Sequence, residues 1–253
     1  MVLTVSNLCY QYQKQAKPIF SNVNLSLQQG QLLCLLGSNG TGKTTLLRCL
    51  IGSLVPTSGN IYVAGKSLTE SQPARLVSYV PQSNSDCMLP LLDMVLLGRT
   101  PHLRTLSQPG ERDRNIAYQA LKLIGLEHLA STPFNQVSGG ERQLTLIARA
   151  LAQEPKLLIM DEPTASLDLG NQARVLRVVK KLAESGLGVL FTTHQPEHAL
   201  LINSDVAVLH QGVILTQGNA RSTLSSQLLS ETYRWPIKIY DADHQHYTCA
   251  PVI

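Results

Sequence analysis

The stretch "GQLLCLLGSNGTGKTTLLRCLIG" at 30–52 limits the possible folds of this chain more than any other. "GQLLCLL" is a continuous apolar run, the pattern of a strand buried on both faces, and it stops at Gly37. "TGKTTLLRCLIG" reads as a helix ending near Gly52. At their junction "GSNGTGKT" places Gly37, Gly42, Lys43 and Thr44 at the spacing G-x-x-x-x-G-K-[ST]. Glycines there let backbone N–H groups close around phosphate oxygens. The lysine supplies a point charge for the outer phosphates, and the hydroxyl can hold Mg²⁺. A buried strand, a phosphate-ready turn and a helix in succession point to an α/β domain, and 253 residues with 43% hydrophobic content can build its core.

The flanking sequence extends that reading. The first 80 residues are strand-rich: "NVNLSL" (22–27) alternates as a half-buried strand, and "GNIYVAG" (59–65) is a short strand between glycines. Between about 83 and 135 helical patterns take over, in "PLLDMVLLG" and "ERDRNIAYQALKLIGL", with a loop around 100–110. With the helix predicted over 139–152, this forms a helical subdomain, approximately 83–152, inserted in one domain spanning 1–253. Pro155 then blocks helix, and the strand "KLLIM" follows. A helix is expected over roughly 170–184, a buried strand at "GVLFTT" (188–193), and a hairpin at 205–218 turning near Gln211–Gly212. The tail from 234 gives no assignable pattern.

Composition removes several function classes. The net charge is +4 with basic residues scattered, so a nucleic-acid surface has little support. Five distant cysteines without a CxxC pair give neither a disulfide framework nor a zinc site. The N-terminus lacks the layout of a signal peptide. No apolar run approaches the roughly 20 residues that span a bilayer, so work at a membrane requires another chain to do the spanning.

Four further sites carry chemistry. "LLIMDE" ends an apolar strand with Asp161 and Glu162, at the strand edge where ligands sit in parallel sheets. Beside a phosphate loop, an Asp there orients Mg²⁺ and its neighbour can polarise a water. His194 follows "VLFTT", and Gln82 ends "VSYVPQ"; alone, each reads as an ordinary loop residue. "SGGE" at 138–141 is a capping box, Ser138 and Glu141 closing a helix whose Leu144, Ile147, Ala148 and Leu151 share a face. The box does not explain Gly139 and Gly140, which weaken a helix start by up to about 1 kcal/mol each relative to Ala. Close approach of a ligand would explain them.

Taken in order, "GSNGTGKT", "VPQ", "VSGGERQ", "LLIMDE", "ASLD" and "TTH" resemble the motifs of ATP-binding-cassette (ABC) ATPases over residues 2–220. The resemblance implies a P-loop NTPase core with an N-terminal antiparallel β-subdomain and an inserted helical subdomain. It implies that Gly37, Ser38, Asn39, Gly40, Thr41, Gly42, Lys43, Thr44 and Thr45 cradle the phosphates of ATP. Thr44, Gln82 and Asp161 would hold Mg²⁺, Glu162 would be the general base, and His194 would contact the γ-phosphate. Gln82 would also sense the membrane partner. Tyr12, in "CYQYQ", resembles the aromatic that stacks on adenine, with Tyr10 a competing choice. Ser138, Gly139, Gly140 and Glu141 would serve the ATP of a second copy, and Asp168 would couple the two sites. Val137 and Glu141 replace the Leu and Gln of the common signature. The partners implied are a second copy arranged head to tail, two transmembrane permease subunits and, indirectly, a substrate-binding protein, at the cytoplasmic face of the membrane with no nucleic acid. "PLLDMVLLGRTPH" (90–102) is similar to a segment of ATPases from importers of iron–siderophore, haem and vitamin B12, and the whole chain to the molybdate/tungstate importer ATPase of that class. An exporter ATPase, or a soluble ABC ATPase acting on nucleic acid or ribosomes, is the alternative.

Overall fold

β3 (Leu32–Leu36), the apolar run before the phosphate loop, is the wall between two hydrophobic cores. Strand side chains alternate faces, and here Leu32, Cys34 and Leu36 enter one core while Leu33 and Leu35 enter the other. All five are buried, which is why the sequence shows no alternation. The computed structural model describes residues 1–13, 16–68, 75–82, 87–104, 107–242 and 247–253.

The N-terminal part supplies β1 (Leu3–Tyr10) and β2 (Phe20–Leu27) before β3, then α1 (Lys43–Leu50), β4 (Ser58–Val63) and β5 (Lys66–Ser67). β2, β1, β4 and β5 pair in that order as an antiparallel sheet. With α1 it covers one face of β3, through Leu8, Phe20, Val23 and Leu47 among others.

The central sheet is completed by β6 (Val77–Val80), β7 (Leu157–Met160), β8 (Gly188–Thr193), β9 (Asp205–His210) and β10 (Val213–Asn219), in the order β10-β9-β3-β8-β7-β6. Its strands are parallel except for β10, which returns on β9 through a turn at Gln211–Gly212. The order β3-β8-β7 brings the C-terminal ends of three strands side by side, and those ends carry Gly37, the pair Asp161–Glu162, and His194.

The opposite face is covered by helices: α2 (Leu91–Leu96), α3 (Glu111–Leu123), α4 (Gly139–Ala152) and α5 (Leu169–Glu184). α4 has the bounds its capping box predicts. "PLLDMVLLG" was expected to be one helix, but α2 ends at Leu96 and tightens into a 3₁₀ turn, Leu97–His102. Two contacts explain the change. Gly98 lies against the backbone carbonyl of Arg149, where a Cβ would collide. Buried Arg99 reaches Asp113 at 2.9 Å, Glu154 at 2.7 Å and the carbonyl of Ala152 at 2.7 Å. The importer-like segment is thus a clamp on the C-terminal end of α4, and the Arg99 guanidinium holds the Asp113 carboxyl below its usual range. The expected start of the helical subdomain, and parts of the expected 83–110 partner surface, lie outside the described residues at 83–86 and 105–106.

The tail that gave no pattern is ordered. After α6 (Pro196–Ile202) and α7 (Ala220–Thr223) come α8 (Ser226–Tyr233) and a hairpin of β11 (Ile237–Asp241) and β12 (Tyr247–Pro251). Among the described residues no helix is long and apolar enough to cross a membrane.

Candidate active site

The phosphate loop leaves β3 at Gly37, where a Cβ would stand 2.5 Å from the Leu209 carbonyl oxygen. It enters α1 through Gly42, whose φ of 100° favours glycine. Lys43 folds back over the loop and donates to the carbonyls of Gly37 at 2.8 Å and Ser38 at 3.2 Å. Its ammonium is buried, and that burial lowers its pKa, opposed by the charges of Glu162 and Asp161. The first turn of α1, from Lys43 to Thr45, lines a cleft of about 680 Å³, the kind of helix start that offers N–H groups to an anion.

Across the cleft, Glu162 is gathered by three groups. Lys43 Nζ lies 3.8 Å from its Oε1, while Gln82 Nε2 at 3.3 Å and His194 Nδ1 at 3.1 Å meet its Oε2. The residue takes φ 44°, a left-handed conformation that costs a non-glycine residue about 1–3 kcal/mol. Its N–H is held at 2.8 Å by Oγ1 of Thr192 on β8, and the same hydroxyl donates to Oδ1 of Asp161 at 2.6 Å. Asp161 does not line the cleft. It is buried behind it, with the Tyr79 hydroxyl 3.4 Å from Oδ2. Burial first, then the Asp161 charge, pushes the Tyr79 phenol up to about 12. The Thr44 hydroxyl, the Gln82 amide and the Asp161 carboxylate are hard oxygen donors of the kind Mg²⁺ takes. Among the described residues no cluster of three His, Cys, Asp or Glu side chains competes as a metal site.

Tyr12 and Tyr10 separate clearly. Tyr10 is buried in the antiparallel sheet, whereas Tyr12 is half-buried beside α1, its hydroxyl 3.5 Å from Oγ1 of Thr45, with the two rings edge to face at 4.9 Å. Of the two, Tyr12 is the one that reaches Thr45 in the first turn of α1, and neither lines the cleft itself.

Residues 138–141 and Asp168 are absent from the lining of this cleft. Exposed Ser138 caps α4: its Oγ donates to Glu141 Oε2 at 2.7 Å, and its N–H donates to the same oxygen at 2.8 Å. Those two bonds, the side-chain one first, lower the Glu141 pKa. Val137, like the leucine it replaces, packs in the core. The two glycines part company. A Cβ on Gly140 would collide with the Asn171 side chain, so a neighbour within the chain requires that glycine and ligand approach is not needed to explain it. A Cβ on Gly139 would meet only Leu167 at an ordinary 3.6 Å, so the ligand explanation survives there. Asn171 is fixed in turn by Asp168, the cap of α5, which accepts its N–H and its Nδ2, each at 2.8 Å. These bonds, the backbone one first, pull the Asp168 pKa down.

Thr192, Tyr79 and the cleft residues Ile19, Ala165, Ser166 and Gln195 escaped the sequence reading. "TTH" offered one local signal, a hydroxyl two places before His194. Its partners, Asp161 and Glu162, carry a signature of their own, but nothing in the sequence ties them to Thr192.

A family model described as "ABC transporter" matches residues 20–165. The chain belongs to the ABC transporter family. As an ABC protein it has the ABC ATPase fold and is an ATP-binding subunit whose hydrolysis is coupled to transport. It is 39% identical to the molybdate import ATP-binding protein MolC of Haemophilus influenzae, over 93% of this chain and 89% of that protein. A solved transporter assigned to the metal-chelate type, in an inward-facing conformation, aligns at 37% identity and a TM-score of 0.88, covering 100% of this chain and 98% of that one. A dimeric ATP-binding cassette in a post-hydrolysis state, bound to ADP and phosphate, aligns at 28% identity and a TM-score of 0.74, over 87% and 99% of the two chains.

Proposed function

We propose that this ABC ATPase powers an importer for a metal chelate, a vitamin B12-like compound or a metal oxyanion such as molybdate, and that it works as a pair. The pairing argument rests on one observation: the cleft at 37–45 is lined without any of residues 138–141, so the second phosphate-ready helix start of the chain is left to serve another molecule. Two copies placed head to tail would give each ATP one cleft and one "SGGE" segment. The dimeric cassette with ADP and phosphate supports that arrangement. The metal-chelate and molybdate relatives support the importer reading. The permease subunits, the substrate-binding protein and the place at the cytoplasmic membrane face belong to that reading.

In this scheme the loop N–H groups and Lys43 bind the β- and γ-phosphates, and Tyr12 stacks on adenine. Mg²⁺, held through Thr44, Gln82 and Asp161, would neutralise phosphate charge. Glu162 accepts the proton of the attacking water, which requires its carboxylate to exchange the contacts with Lys43, Gln82 and His194 for that water. His194 then turns to the γ-phosphate, and positioning and charge stabilisation carry the reaction.

The test uses one pair of variants. Glu162→Gln should stop hydrolysis and leave ATP-dependent dimers that survive gel filtration. Adding Ser138→Arg should dissolve those dimers while single chains still bind ATP. Loss of ATP binding by single Ser138→Arg chains would place the signature in the chain's own site and defeat the paired reading.

A further inference from the structure

We propose that Tyr233, at the end of α8, is a positioning residue for His194, and that α8 with the β11–β12 hairpin therefore belongs to the hydrolytic machinery. The inference rests on the reading of His194 as the γ-phosphate contact.

The Tyr233 hydroxyl donates to the backbone carbonyl of His194 at 2.8 Å. The phenol is largely enclosed, and burial, the first of several influences, raises its pKa, so it remains a donor at every working pH. The loop 193–195 is also restrained by the ring of His194 on Glu162, by the N–H of Gln195 on Oγ1 of Thr193 at 3.1 Å, and by His198 of α6, whose N–H donates to the Gln195 carbonyl at 3.2 Å and whose Nδ1 lies 3.1 Å from Oγ1 of Thr193. The first two partners lie at the strand ends that form the cleft, and His198 belongs to the helix that follows directly in the chain. Tyr233 comes instead from beyond the central sheet, and it fixes the carbonyl about which the histidine must swing. Tyr233 also lines a second cavity, of about 360 Å³, together with Ser38–Thr41 of the phosphate loop. The end of α8 thus bonds to one of the two segments that would hold the γ-phosphate and shares a cavity with the other.

The hairpin braces this helix. The N–H groups of Ile237 and Ile239 donate to the hydroxyls of Ser230 at 2.8 Å and Ser226 at 3.0 Å, tying β11 to α8. β12 reaches α6, the helix that starts two residues after His194: Cys249 N–H donates to Oε1 of Glu197 at 3.1 Å. The Arg221 guanidinium lies 5.1 Å over the Tyr247 ring. Ile237, Ile239, Tyr247 and Cys249 pack on the helical-side core. The histidine loop is therefore gripped from α8 at its carbonyl and from β12 just beyond it.

Tyr233→Phe in the full chain removes the donor and keeps the ring. Turnover should fall about three- to tenfold with KM for ATP within about twofold, the size expected for one lost hydrogen bond acting on the reacting state. The ring ¹⁵N resonances of His194 should move, and a merely structural role would not shift them at unchanged ATP affinity. Turnover at the normal rate, or a fall matched by a rise in KM, overturns the proposal. If the Phe variant does not fold, Glu197→Ala decides: a smaller fall in turnover at constant KM upholds it, and an unchanged rate overturns it. A parallel His194→Ala chain separates the two readings. If that chain keeps full turnover, the role given to His194 fails. If it loses turnover while Tyr233→Phe is normal, only the Tyr233 proposal fails.

Discussion

The Thr192 hydroxyl donates to Oδ1 of Asp161 at 2.6 Å, and through this bond a side chain of β8 orients an acid of β7. Because the same oxygen accepts the Glu162 N–H, it also holds the strained backbone at φ 44° that aims Glu162 into the cleft. Thr192→Val keeps the shape and strands both groups, at about 1–3 kcal/mol for each buried group left unpaired. Turnover should fall roughly tenfold or more, and Thr192→Ser should restore most of it. Steady-state hydrolysis across a Mg²⁺ titration reads this. A valine variant running at full rate would show that Asp161 and Glu162 need no help from β8.

Gly140 and Asn171 fit together as a small residue and the side chain that fills its place. Gly140→Ala should push the Asn171 amide off Asp168 and destabilise the chain by about 1 kcal/mol, the worth of one such bond. In Gly140→Ala/Asn171→Ala the collision with the amide is gone and only a tight 3.1 Å contact between the two Cβ atoms remains, so the two losses should not add. Urea unfolding of both singles and the double completes the cycle. Strict additivity would mean the two residues are independent.

His198 gives stability a pH dependence. Its ring is buried among Thr193, Thr164 and Gln172, with Nδ1 3.1 Å from the first hydroxyl and 3.3 Å from the second, and Nε2 3.5 Å from the amide oxygen. Burial, and then the nearby His194, lower its pKa to about 4 from 6.5. Between those values the unfolded chain takes up a proton that the folded chain refuses. Stability is therefore complete above the unfolded pKa and is lost as pH falls toward the folded one. From about pH 7 to about pH 5 the loss should be about 2 kcal/mol. His198→Gln should flatten that part of the curve in denaturant titrations at the two pH values. An unchanged slope would assign the acid sensitivity to other groups.

The parts legible in the sequence are those whose cause is local. The turn at 37–44 is set by its own glycines and its own lysine, and the bounds of α4 by a cap and an acid three residues apart. Gln82 and His194 gained meaning only from the order of the motifs, yet the sheet order β8-β7-β6 does bring them to Glu162. Features with a distant cause were illegible. Thr192 matters because of the strand beside it, and the end of α2 is dictated by Arg149, some fifty residues on. The hairpin at 237–251 has a half-exposed face that imitates a loop, because its inner residues complete a core built by other segments. Gly140 resembled a ligand contact because Asn171, which explains it, is thirty-one residues later.

The clamp of Gly98 and Arg99 is confined to one end of α4. Arg99 seizes Ala152 and Glu154, His102 meets the Gln153 carbonyl at 2.8 Å, and Gln153 itself donates to Val77 on β6 at 2.8 Å. The other end, near Ser138, is held separately: Arg142 donates to the carbonyls of Asn135 at 2.7 Å and Val137 at 3.2 Å, and Gly140 lies against Asn171. With its middle buried in the core, α4 links the clamp at 152–154 to Ser138 as one rigid rod. Its 14 residues make an arm of about 21 Å, so a tilt of about 5° at the clamp carries the tip about 2 Å. That stroke is comparable to the length of a hydrogen bond. A force on the α2–α3 layer would therefore shift Ser138 by about the reach of one contact while the chain stays folded, which is the displacement the proposed head-to-tail pair would need.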